Sequence, residues 1–128
     1  MIKLEEFISG YLPIWVSPNG KLNMATEGHA TFAQNELGLP VSDEFEDTER
    51  AYKMMYEKGF VRVTAEPDNI FFTYANRRPS RSQIKSIKDL GIENNSVVTD
   101  DVSGRVLFSP HFLDEQNEKL ENDFEFGD

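Results

Sequence analysis

Five cationic side chains between positions 77 and 88 are the first candidates for chemistry. Arg77, Arg78, Arg81, Lys85 and Lys88 follow one another with no acid between them. Arg81, Lys85 and Lys88 stand at i, i+4 and i+7, so on a helix they share one face. That face is expected to lie well away from Ile84, Ile87 and Leu90. A helix start also presents backbone N–H groups to anions. The cluster therefore reads as a site for phosphate, nucleic acid or an acidic protein surface. The alternative is a solvated face whose charges pair with acids at 43–57 or in the C-terminal segment.

His29, in Glu27-Gly28-His29, is the second candidate. Near a helix start it is either a general base or a histidine that caps or packs. The chain holds only one other histidine, His111, and no cysteine. That excludes disulfides, thiolate zinc sites, cysteine nucleophiles and a multi-histidine metal site within one chain. No G-x-S-x-G, Walker A or G-x-G-x-x-G pattern occurs. Asp100 and Asp101 are adjacent, so on a strand they would point to opposite faces. They read as the start of a loop. Trp15, Phe71, Phe72 and Tyr74 sit in strand-like runs. Rings on a nucleic-acid-binding sheet stack on bases, but no base interrupts 70–74, so core packing is the reading for most of them. The expectation is a protein without catalytic residues, metal or cofactor, and not an enzyme.

These residues must be positioned by a small fold. A chain of 128 residues points to one domain. There are 13 Lys and Arg against 23 Asp and Glu, a net charge of −10. That argues against nucleic acid or an anionic membrane as a partner of the whole chain. No apolar run approaches the roughly 18 residues of a membrane span. The first residues lack the pattern of a secretory signal, which points to an intracellular setting.

Residues 1–9 read as a short helix ended by Gly10 and Pro13. Residues 14–24 read as a hairpin around Pro18-Asn19-Gly20. From Thr26–Gly28 a short helix runs to Gly38, with Pro40 beyond it. A second helix starts at a Ser42 or Asp43 cap, with Glu46 in its first turn, and closes at Lys58-Gly59. Phe45, Tyr52, Met55 and Tyr56 are expected on its buried face. Strands at 60–64 and 70–74 form a second hairpin. Ser80 and Gln83 match a capping box for a third helix, with Gly91 as its expected end. Strands at 96–99 and 105–108 follow. The fold class is α+β: one small domain over 1–109, of antiparallel hairpins with two to three helices packed on one face.

Residues 110–128 differ in kind. They hold seven acids and one base, Lys119. One reading is a solvating acidic tail. The other is a segment that orders on a partner through Phe112, Leu113, Leu120, Phe124 and Phe126. Its partner surface would be basic with an apolar groove, for example the 77–88 face of a neighbouring copy.

Three stretches also occur together: Trp15-Val16-Ser17-Pro18-Asn19-Gly20-Lys21, His29 opening a helix, and Gly59-Phe60-Val61-Arg62-Val63. Arg78-Pro79-Ser80-Arg81-Ser82-Gln83 then precedes a helix ending in Asp89-Leu90, and the chain opens on Met1-Ile2-Lys3-Leu4-Glu5-Glu6-Phe7-Ile8. Over about residues 1–99 this order resembles small proteins of tailed bacteriophages, especially large marine or cyanobacterial ones. The resemblance implies a viral setting, in the virion or the host cytoplasm, and supplies no catalytic residue. The expected function is a structural or protein-interaction component of a phage particle. Its partners would be other copies of itself or phage structural proteins. The alternative is an acidic modulator of a host protein that acts as a nucleic-acid decoy.

Overall fold

A computed structural model describes residues 13–75 and 77–110. In chain order the elements are β1 (Ile14–Val16), β2 (Leu22–Met24), α1 (His29–Leu37), α2 (Phe45–Glu57), β3 (Val61–Glu66), β4 (Asn69–Thr73), α3 (Arg81–Asn94), β5 (Val97–Asp100) and β6 (Val106–Phe108). The strands form one sheet in the order β2-β1-β3-β4-β5-β6. Every pairing is antiparallel except β4 with β5, which α3 connects as a crossover. This is a small α+β fold, as the sequence predicts. The expected helix at 1–9 and the segment 111–128 lie outside the described residues.

The helices divide between the two faces of the sheet rather than sharing one. Side chains along β1 alternate, and Ile14, Trp15 and Val16 are all buried. Ile14 and Val16 join Val61, Val63, Ile70, Phe72 and Val98 beneath Ile87 and Leu90 of α3. Trp15 faces the other way, onto Ala33 of α1 and Ala51 and Met55 of α2. A strand apolar on both sides needs cover on both sides. That requirement separates α3 from α1 and α2.

The start of α3 is built as expected. The Gln83 N–H donates to Ser80 Oγ at 3.2 Å, and the Ser80 N–H donates to Gln83 Oε1 at 2.9 Å. The Gln83 amide nitrogen also donates to the carbonyls of Val16 (3.1 Å) and Gly59 (2.8 Å). One buried side chain thus completes the cap and ties the helix to β1 and to the turn before β3. The β1–β2 turn packs here too. Gly20 has φ of 90°, and a Cβ on it would lie 2.9 Å from Ser82 Cβ.

The end of α3 differs from expectation. Gly91 lies inside the helix, which continues to Asn94 and stops at Asn95 with φ of 57°. A Cβ on Gly91 would collide with Val98 Cγ2 and stand 3.1 Å from Phe108 Cδ1. The missing side chain is what lets α3 press onto β5 and β6. Gly91→Ala is therefore expected to destabilise the fold by about 1–3 kcal/mol despite the better helix propensity of alanine. Urea denaturation measures this, and an unchanged or raised midpoint would contradict the packing described.

α2 differs at its start. Its N-cap is Glu44, with no side-chain capping bond. The Ser42 hydroxyl accepts from the Glu44 N–H at 3.1 Å, and the backbone of Ser42 is held by both polar atoms of the Gln34 amide. Phe45 is 75% exposed rather than buried. It precedes Ala51, the first fully buried residue of α2, by more than a turn.

Candidate functional site

The five cations come together around α3, but in two groups. Arg77 and Arg78 lie exposed just before the helix. With Lys58, Tyr56 and Tyr74 they surround a cleft of about 170 Å³ at the helix start. Arg81, Lys85 and Lys88 line a groove of about 400 Å³ along the flank of α3. Pro79 borders both hollows, so the basic surface is continuous.

The groove corrects one expectation. Its cations do not stand apart from the apolar residues, because Ile84 and Ile92 line it with them. Ile84, Lys88 and Ile92 follow at intervals of four, which stacks them on one flank of the helix. Ile84 leans on the core beneath α3, while Ile92 is 57% exposed. Asp89 is the one acid among the lining residues. The reading in which the acids of 43–57 neutralise this face does not hold, since α2 packs across the sheet from α3. Phe112, Leu113, Leu120, Phe124 and Phe126 lie outside the described residues.

Sequence reasoning missed Lys58 and Ile92. Lys58 reaches the cleft only because the turn after α2 folds beside Pro18. Ile92 had a local signal in its spacing from Ile84, hidden by the expectation that the helix ended at Gly91.

His29 is a packing residue. It opens α1, and its Nε2 lies 3.2 Å from Thr64 Oγ1. Its ring stands perpendicular to that of Trp15, with a centroid distance of 5.7 Å and an interplanar angle of 87°. The Trp15 indole N–H donates to the His29 carbonyl at 3.2 Å. Burial, then the neighbouring Arg62 charge, lowers the His29 pKa from 6.5 to about 3. Such an imidazole is neutral at pH 7 and a poor general base there.

The shift has a stability consequence. Unfolded chains bind a proton at His29 below pH 6.5, and the folded chain does not until about pH 3. The stabilisation is complete above pH 6.5 and is lost as pH falls toward 3. By pH 4.5, two units below 6.5, the loss is expected to approach about 3 kcal/mol. Urea melts of the native chain and His29→Gln at pH 7 and 4.5 check this. The native chain should lose more than the variant, and equal losses would show that His29 does not carry the effect.

Asp100 closes β5 as its last residue, paired with Phe72, rather than opening the loop, which starts at Asp101. Asp100 is buried. Burial works to raise its pKa, but hydrogen bonds from Ser103, Tyr74 and Val102 outweigh this and hold it below the usual value. Asp101 accepts from the Thr73 hydroxyl at 3.1 Å. The two carboxylates serve different structural bonds. Trp15 and Phe72 are fully buried, and Tyr74 packs against the core. A further hollow, by Tyr52 and Arg62, mixes Glu49 with Arg50 and Lys53 and has no aliphatic floor.

Among the described residues, no helix is long and apolar enough to cross a membrane. Comparison with protein-family models, with curated proteins and with solved structures finds no match to this chain.

Proposed function

We propose that the protein is a non-enzymatic interaction module, and that the flank of α3 receives an acidic segment of a partner protein bearing phenylalanine or leucine. The observation that carries this reading is the groove, where Ile84 and Ile92 lie among Arg81, Lys85 and Lys88. An apolar floor within a charged rim is the usual anatomy of a protein contact. A phosphate backbone would use the cations and leave the isoleucines idle. The net charge of −10 also repels long polyanions. The resemblance to tailed-phage proteins suggests a virion component as the setting. The decoy alternative needs carboxylates in rigid phosphate-like rows. On α2 the acids are instead interrupted by Arg50 and Lys53, which favours the interaction reading.

The test uses three probes on the full chain: an acidic 15-residue peptide with two phenylalanines, the same peptide with serines in their place, and a single-stranded 15-nucleotide DNA. The phenylalanine peptide should bind most tightly and DNA least. Equal binding of all three would reduce the surface to a charge patch and overturn the reading.

A further inference from the structure

We infer that the protein's own segment 111–128 occupies the α3 groove of the same chain. This rests on the reading of the groove given above and names its resident occupant. Three observations support it.

The first is charge. The segment carries −6 of the chain's −10, and the groove presents Arg81, Lys85 and Lys88. Among the described residues the groove's only acid is Asp89. Apolar content matches as well. Phe112, Leu113, Leu120, Phe124 and Phe126 punctuate the acids, and Ile84 and Ile92 form the floor they would meet.

The second is the place where the chain leaves the sheet. β6 ends at Phe108, whose ring lies against Gly91 of α3. Gly91 directly precedes Ile92, the last residue of the groove's lining. The described chain thus ends two residues beyond a strand that packs on the C-terminal half of α3.

The third is reach. From Arg81 to Ile92 the groove follows eleven helical steps, about 17 Å. Eighteen extended residues cover on the order of 60 Å, so the segment spans it with chain to spare. A tether this short sets a local concentration near the millimolar range, which favours the same chain over a second copy at ordinary protein concentrations. An outside partner then has to displace the segment, so the groove is guarded by its own mimic.

Zero-length carbodiimide cross-linking of the full chain tests the placement, together with titration of the phenylalanine peptide. One variant replaces Phe112, Leu113, Leu120, Phe124 and Phe126 by serine in the full chain. Lys85 or Lys88 should join carboxylates of 114–125 within monomers. The serine variant should lose those links and bind the added peptide about tenfold more tightly than the native chain. Links confined to dimers would make a second copy the occupant and overturn the placement. So would a native chain and serine variant that bind the peptide equally, with the added peptide alone linked to Lys85 and Lys88; the groove reading would survive that result. If the peptide binds neither chain, the groove reading itself falls and takes this inference with it.

Discussion

Replacing Trp15 by alanine is expected to remove about 3–5 kcal/mol of stability. Trp15 is fully buried and sits at the centre of the cluster beneath α1 and α2. Its ring meets His29 and, at 5.7 and 5.8 Å, Tyr52 and Tyr56. Alanine leaves a cavity that Ala25, Ala33 and Ala51 are too short to fill. It also removes the indole donor from the His29 carbonyl. Domains of this size are stable by about 5–15 kcal/mol, so the variant should stand near the limit of folding at 37 °C. Water admitted beside His29 should raise its pKa toward 6.5, which histidine NMR titration reads independently. A loss under about 1 kcal/mol by urea denaturation would show that α1 and α2 do not depend on this ring.

Reversing Arg81 and Lys85 to glutamate together should act on binding and leave the fold alone. Both side chains are exposed, and exposed substitutions usually shift stability by under about 0.5 kcal/mol. Each reversal replaces an attraction by a repulsion at the rim of the groove. Affinity for the acidic phenylalanine peptide should drop about tenfold or more, with the difference shrinking at high salt. A double variant that unfolds would mean these cations hold the fold. One that binds as before would place the peptide elsewhere.

Local chemistry in this chain is readable along the sequence. Ser80 and Gln83 are three residues apart, and their reciprocal hydrogen bonds form as their spacing predicts. Pro18-Asn19-Gly20 turns the first hairpin, and Gly38 ends α1 in the left-handed region. What was not readable depends on partners far away in sequence. The bond from Gln83 to Val16 joins residues 67 apart. Gly91 looks like a helix terminator until Val98 and Phe108 are seen against it. Phe45 matches the Tyr52 stripe by period, yet α2 meets the core only from Ala51 onward. The same division holds for the site. Arg81, Lys85 and Lys88 declare a common face by spacing, whereas the openness of Ile84 and Ile92 depends on how α3 seats on the sheet.

Binding at the flank of α3 would have a residue-by-residue signature along the helix. The most direct measurement is a backbone amide NMR titration of the isotope-labelled full chain with the acidic phenylalanine peptide. Shifts are expected to concentrate at residues 79–92, strongest beside Ile84, Lys88 and Ile92, and to vanish in the Arg81→Glu/Lys85→Glu variant. Shifts centred on α1 and α2, or none at peptide concentrations in the millimolar range, would contradict the account.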